Sequence, residues 1–422
     1  MSMDSAHNDK TWPHNRIAAN GVVRLVLKAL GITFLAFLLS KCLIAPFSAS
    51  TSAIFSSTEK SDFVLTDLFA QVADNRPVRQ YDDRIVVVDI KDAGRESIAE
   101  TLETLSLCGP GAVGLDVNFA DAREDDSRLL AALAMNPGIL LPLGADVAAA
   151  SAETQTTEPG SSDAYETRFT IGEAPFFYGQ LPGVVYGIVN YPTKNAKATI
   201  REVPVTFPME NGGRLPSFVE AMGRKVAPQA AAEALKTGNS REYISFHSRE
   251  FMVIPYEEVA DRAEELTGKV VLVGSCTDAS DLHPTPVGEM PGIMIHAHAH
   301  ALSTMIDGNW LKPMPEWLDG VVAAVICFLI VLAAIGIKSG VRGMLIRFMQ
   351  LILAYLAVRI GYGLYVDHNI VCNLSSTLLM IAFGLFAVDI WNGGAALCGM
   401  IGNRIKRFRN RYNSNLTCEE QF

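Results

Sequence analysis

GKVVLVGSCTDASDLHPTPVGEMPGIMIHAHAHALSTMI, residues 268–306, reads as a buried strand, a long polar loop and a helix. KVVLVGS (269–275) is a short apolar run closed by glycine and serine, the pattern of a strand covered on both faces in a parallel sheet. Met290-Pro291-Gly292 reads as a turn, and the helix runs from Gly292 to about Ile306. His296, His298 and His300 stand at alternate positions along it. On a strand they would line one face. On a helix successive residues turn by about 100°, so His296 and His300 share a face and His298 points nearly opposite. Three-point chelation of one metal is thereby excluded. His296 and His300 have the i, i+4 spacing of helical zinc sites, but a metal there would need further ligands such as His283, Asp278 or Asp281.

Upstream, strand and helix patterns alternate. RIVVVDI (84–90) is an apolar run interrupted by Asp89, RESIAETLETLSL has helical spacing, and GAVGLDVNF (111–119) carries Asp116 near its end. DDSRLLAALAMN reads as a helix opened by acids, and GILLPLG (138–144) as a third strand. Short buried strands separated by helices imply a parallel sheet with right-handed crossovers. Residues 148–166 are low in complexity and read as an exposed loop or insertion. VVYGIVNYP, ATIREVPVTFP, EYISFHS and REFMVIP read as an antiparallel meander, with LPSFVEAMGRKVA as a helix among them.

Downstream, LDGVVAAVICFLIVLAAIGI (318–337) has about eighteen uncharged positions after its edge acid, close to the roughly 20 residues that cross a bilayer. Further apolar stretches cover 343–366, interrupted by Arg347 and Arg359, and 370–391. Three in a row with short links read as membrane spans rather than core helices. At the other end, residues 21–47 hold a core of twelve uncharged positions, Ala29 to Ser40, between Lys28 and Lys41. With Ser48-Ala49-Ser50 beyond, this also describes a cleaved signal peptide. The apolar stretch resumes after Lys41, which favours a retained anchor with Lys41 reaching to the headgroups.

Basic residues fix the orientation. Arg24 and Lys28 precede the first span, Lys338 and Arg342 lie between the second and third, and Arg404, Lys406, Arg407, Arg409 and Arg411 crowd the tail. Val366 to Asn369, between the third and fourth, has no Lys or Arg. The positive-inside rule then puts 1–20 and 392–422 in the cytoplasm and 48–317 outside it. Trp310 and Trp317 flank the return to the membrane, a favoured place for tryptophan.

Composition agrees. Mean hydropathy is +0.22 although 19% of the 422 residues are charged, which suggests a polar domain joined to apolar segments. A net charge of −10 argues against nucleic acid as a partner. Seven scattered cysteines contain no CxxC pair, and only a single Cys108–Cys276 bridge is conceivable.

DRIVVVDIKDAG, GAVGLDVNFADAREDDSRLLAAL, IREVPV, LPSF and above all Gly268 to Pro315 resemble the type-2 CHASE family. The resemblance covers about Asp62 to Trp391, and the last block is its specific part. It implies an extracellular sensory domain of a bacterial inner-membrane receptor, followed by three spans and usually by a cytoplasmic cyclase, kinase or similar output. His296 falls on the family's recurrent histidine, either bonded to the preceding loop or a pocket ligand. His298 and His300 lie outside the family pattern. The chain departs from the family in two ways. AGRESIAE replaces the common Trp/Pro/Arg-containing loop, and only about thirty residues follow the last span. A receptor built this way needs its output on another polypeptide.

The expected architecture is therefore an α/β extracytoplasmic sensory domain, with a mainly parallel sheet plus an antiparallel meander. Four transmembrane helices flank it, one N-terminal and three C-terminal. In open parallel sheets ligands gather beyond the carboxyl ends of the strands. Asp89 and Asp92, Asp116 and Asn118, and Ser275, Thr277, Asp278 and Asp281 would form such a rim, suited to a cation or to a polyhydroxylated or amine-bearing ligand. The alternative is that these acids cap helices and accept loop N–H groups. No GxSxG, HExxH, Walker-A or GxGxxG context occurs, so a metal-dependent hydrolase is a minor alternative to a non-enzymatic sensor. No cofactor is expected. The expected partners are the bilayer, an envelope-side ligand and a separate cytoplasmic signalling protein, with dimerisation plausible. The competing class is a scaffold or envelope-assembly protein that has lost sensing.

Overall fold

The computed structural model describes residues 21–41, 65–75, 80–148, 167–191, 198–237, 240–246, 249–290, 292–336, 342–372 and 374–419. The tail 1–20, residues 42–50 and most of the low-complexity stretch, 149–166, lie outside them. The chain divides into two compact units. One comprises Glu59–Lys312 with Tyr365–Val371, and the other Met1–Thr58, Pro313–Leu364 and Cys372–Phe422.

The first unit is an α/β domain. Its elements run α1 (Leu65–Asp74), β1 (Gln80–Asp89), α2 (Arg95–Cys108), β2 (Ala112–Leu115), α3 (Asp126–Ala134), β3 (Leu140–Val147), β4 (Phe169–Glu173) and β5 (Val185–Ile188). Next come β6 (Glu202–Pro204), β7 (Thr206–Pro208), β8 (Arg214–Pro216), α4 (Phe218–Val226), α5 (Pro228–Lys236), β9 (Arg241–Tyr243) and β10 (Arg249–Pro255). Last are α6 (Ala263–Leu266), β11 (Val270–Gly274), β12 (His283–Thr285), β13 (Gly288–Met290) and α7 (Ile293–Asp307).

The main sheet has the order β10-β1-β11-β2-β3, and these strands are all parallel to their neighbours. At the far edge Leu140–Leu143 of β3 pairs with β5 in parallel, and Gly144–Val147 pairs with β4 antiparallel. Strand periodicity sorts the side chains into two cores. Ile85, Val87, Val270 and Leu272 face α4, α5 and α7, while Val86, Val88, Val271 and Val273 face α2 and α3. Each fully buried Val or Leu contributes on the order of 1.5–3 kcal/mol, so both faces of RIVVVD and KVVLVG drive folding. Gly114 and Gly187 let α4 lie close on the sheet: a Cβ at either would overlap Phe218. Ser217 starts that helix by accepting from Glu220 N at 3.1 Å.

Two segments expected in the antiparallel meander belong to the parallel sheet: Val185–Ile188 is β5 and Arg249–Pro255 is β10. Both are short runs whose partners lie far away in sequence, which local pattern does not reveal. The antiparallel pairs that do form are β6 with β9, β7 with β8 and β12 with β13. Cys108 and Cys276 are both free thiols, so the conceivable bridge is not made.

In the second unit four helices are long and apolar enough to cross a membrane: Gly21–Lys41, Trp317–Gly336, Gly343–His368 and Ser375–Arg409. Their shared core joins Ala29, Ile32 and Ala36 with Cys327, Ile330, Val331 and Ala334 and with Met380, Ile381, Ala387 and Val388. Small residues dominate the first helix's contribution, as membrane helix packing favours. The Gly343–His368 helix leaves Leu351, Tyr355 and Ile360 exposed, an apolar surface suited to lipid. The last helix continues to Glu419, so the basic tail extends it rather than forming a loop.

Candidate functional site

The site lies beyond the carboxyl ends of β11, β2 and β5. Gly274 closes β11 and Ser275 to Asp281 form the loop that follows. Asp116 is the first residue past β2, its N–H donating to the Val273 carbonyl at 2.8 Å. Val189 follows β5 and donates from its backbone to the Leu143 carbonyl at 3.1 Å. A cavity of about 180 Å³ opens here, lined by Asp116, Val189, Ser275, Asp278, Asp281 and Ile295.

The start of α7 is clamped against this loop. Gly292 adopts a left-handed φ of 63°, and a Cβ there would overlap the Ser275 carbonyl and the Cys276 backbone. Only glycine meets both demands without strain. Its N–H donates to the Asp278 carbonyl at 3.0 Å. Ile295, one turn on, packs over Gly274 and forms a wall of the cavity.

Behind Asp116 stands a chain of buried polar groups. His298 is 2% exposed, and its Nε2 faces Asp116 Oδ2 at 3.5 Å. Among the described residues that Nε2 has no hydrogen-bond partner. Nδ1 lies 2.9 Å from the Tyr191 hydroxyl, and the ring packs on Phe218 at 4.6 Å between centroids. Burial pushes the His298 imidazole down to about 3, so it is neutral at any physiological pH. Burial, reinforced by the Asp281 charge, pushes the Asp116 carboxyl up to about 7. Tyr191 is raised well above its ordinary value by burial and then by Asp116. With a neutral imidazole, the Asp116–His298 contact is no salt bridge.

Of the rim residues expected from sequence, Asp116, Ser275, Asp278 and Asp281 converge on this cavity. Ser275 Oγ also accepts from Thr277 N at 3.3 Å. Asp89 is buried, and its Oδ1 accepts from Lys91 N at 3.0 Å and Cys276 N at 2.9 Å, tying the end of β1 to the loop after β11. Burial and then the Asp89 charge push the Cys276 thiol up to about 12. Asp92 is exposed in the turn after β1. Asn118 is exposed and donates from Nδ2 to Glu173 at 2.9 Å. None of Asp89, Asp92 and Asn118 lines the cavity.

His296 is partly buried near Asp89, and burial lowers its pKa against the pull of that carboxylate. His300 is buried against Phe246 and Phe251 at 5.2 and 4.9 Å. Among the described residues no set of three His, Cys, Asp or Glu side chains is arranged to hold a metal ion. The sequence reading passed over His298 and Tyr191, the two residues that back Asp116. A signal existed in the 100° turn that sets His298 opposite His296 and His300, but it did not say which face meets the strand ends.

A second polar cluster sits at the other end of α7. Asp82 accepts from Arg84, Arg249 and Ser303, and Asp307 accepts from Arg84 at 2.7 Å and Arg249 at 2.6 Å. Burial alone would raise the Asp82 carboxyl, but its bonds from Arg84 and Ser303 hold it at about 2. Arg249 is 8% exposed and donates to Ser303 as well. Thus β1, β10 and the C-terminal turns of α7 share one ionic knot.

No curated protein and no solved structure matches the chain. The profile of the family described as CHASE2 domain matches residues 42–335. That span is well over half of the 422 residues and takes in the sheet, the cavity and the second membrane helix. The chain therefore belongs to the CHASE2 domain family, a family of extracellular sensory domains.

Proposed function

We propose that the protein is a non-enzymatic sensor of a bacterial inner membrane. Its α/β unit would lie on the envelope side and both termini in the cytoplasm. A small ligand would enter the cavity beyond β11 and β2, and occupancy would be passed to a separate cytoplasmic protein.

The observation that carries this reading is the course of α7. Its first turns supply Ile295 to the cavity wall and His298 to the polar chain behind Asp116, and its last turns supply Ser303 and Asp307 to the ionic knot. From Gly308 the chain runs through Lys312 to the second span. A ligand shifts a conformational equilibrium only through different contacts in the two states, and α7 is the element on which such contacts act. That both His298 nitrogens face protein groups, Asp116 and Tyr191, supports binding over acid–base chemistry on a substrate.

The orientation is supported by the basic clusters and by Val366 to Asn369, which groups with the α/β unit: Lys312 N donates to the Asn369 carbonyl at 2.7 Å. Beyond Trp391 the last helix exposes Leu397, Ile401, Ile405 and Phe408 among Arg404, Lys406, Arg407 and Arg409. This basic, partly apolar surface suits a protein partner or anionic lipid. A symmetric dimer fits the same scheme.

The test is purification of the full chain, tagged at its C-terminus, in mild detergent. A stoichiometric kinase, cyclase, protease or transcriptional regulator is the expected companion. Reproducible recovery of envelope-assembly proteins instead would contradict the sensor reading in favour of scaffolding.

A further inference from the structure

We propose that the end of the last helix, residues 395–409, docks on the anionic surface of the membrane. It would turn at Gly393-Gly394, so that Leu397, Ile401, Ile405 and Phe408 enter the interface between flanking arginines. This rests on the orientation proposed above, which puts that end of the helix on the cytoplasmic side, and it names lipid rather than protein as what covers it.

The height at which the helix leaves the bilayer is given by its neighbour. Lys28 of the Gly21–Lys41 helix donates from Nζ to Asn392 Oδ1 at 3.5 Å, and the Trp391 ring packs over Gly31. A lysine and a tryptophan at one height are what a membrane–water interface favours. Ala387 and Val388 are the last residues of this helix in the shared core, and residues 389–409 are all exposed. At 1.5 Å per residue, Phe408 stands about 25 Å beyond Trp391 along the axis. On a straight helix Leu397, Ile401, Ile405 and Phe408 would therefore stand in water, with Phe408 79% exposed. These four share one face, within about 80° of arc at 100° per residue, and Arg404 and Arg409 border it on either side.

Charge decides what covers that face. Arg404, Lys406, Arg407 and Arg409 fall within six residues, and no Asp or Glu occurs from Ile390 to Cys418. A second copy laid on the face would bring the same cations and repel. A surface of lipid phosphates brings the opposite sign to each of them. It also takes up apolar side chains while the bordering arginines reach back to the headgroups, and it is already present at the height of Trp391. Glycine supplies the turn. A Cβ at Gly393 or Gly394 would meet nothing within 4 Å, so no packing calls for glycine at either position. Adjacent small, flexible residues are a usual place for a helix to bend.

The experiment is amide hydrogen exchange over residues 395–409 of the full-length protein, in nanodiscs of phosphatidylcholine alone or with phosphatidylglycerol. Exchange should be about tenfold slower in the anionic discs, and about 1 M salt should weaken that slowing. In Arg404→Glu/Arg409→Glu the slowing should be lost. Gly393→Ala/Gly394→Ala stiffens the helix without touching its packing and should lose most of it. Discs expose both faces of the bilayer, so the result does not depend on the orientation in the cell, and co-purification tests the sensor reading separately. Equal exchange in the two kinds of disc would overturn the proposal. Slow exchange found only in discs that hold two copies would overturn it in favour of self-pairing. Slow exchange found only with a co-purified protein bound would hand the face to that protein.

Discussion

Asp116 shows how one residue couples position to chemistry. It sits where β2 ends, its carboxyl is 17% exposed, and it faces other acids and a neutral imidazole. Its folded pKa, about 7, lies above the ordinary 3.8. The sign follows from linkage: the stability associated with the protonated carboxyl is complete below about 3.8 and is lost as pH rises through 7. Asp116→Asn removes that loss. The variant should therefore be more stable than the parent above pH 7, by roughly 2–4 kcal/mol, with the difference vanishing towards pH 4. Thermal midpoints of both full-length proteins across that range would check it, and equal midpoints at the alkaline end would refute the burial of this charge. Asp89 shows the contrast. It too ends a strand, but its Oδ1 accepts from two backbone N–H groups and serves the fold. The sequence could place both acids at strand ends without saying which would face the cavity, since that depends on where the loop after β11 runs.

At the scale of elements, α7 is the instructive case. Its helical form was legible from the turn at Met290-Gly292 and the apolar run beyond. Ala297, His298, Ala299, His300, Ala301, Leu302, Ser303, Thr304 and Met305 are all buried, so the helix is covered around its circumference. A polar–apolar face pattern, the usual sequence guide to which side meets the core, is absent in such a helix. The same limit explains β5 and β10: alternation and length identify a strand, whereas its neighbour and direction are set by distant residues. β1 and β11 were legible because continuous valine runs are favoured only where both faces are covered. The knot at the end of α7 was not anticipated, since Asp82, Arg84, Arg249, Ser303 and Asp307 come from three separate elements. Arg249→Met leaves the buried Asp82 and the more exposed Asp307 with Arg84 as their remaining guanidinium. It should destabilise the domain by about 3 kcal/mol, and adding Asp82→Asn should recover part of that. A double-mutant cycle in denaturant would measure the coupling, and simple additivity would dissolve the knot as an energetic unit.

For the whole molecule, the division into an α/β unit and four long apolar helices was legible in the sequence, because apolar length marks helices able to cross a bilayer. What the sequence withheld was the continuity on which the proposed sensing depends: the single helix α7 is bounded by the cavity at one end and by the ionic knot at the other. The central claim is that filling the cavity changes the state of that helix. Amide hydrogen exchange over Ile293–Asp307, in the full chain in lipid, compared between the parent and Val189→Phe, whose ring would fill the cavity, tests it most directly. Exchange along the helix is expected to slow in Val189→Phe and to stay as in the parent in Leu107→Ser, an exposed position outside the cavity. A folded Val189→Phe with exchange over Ile293–Asp307 unaltered would contradict it.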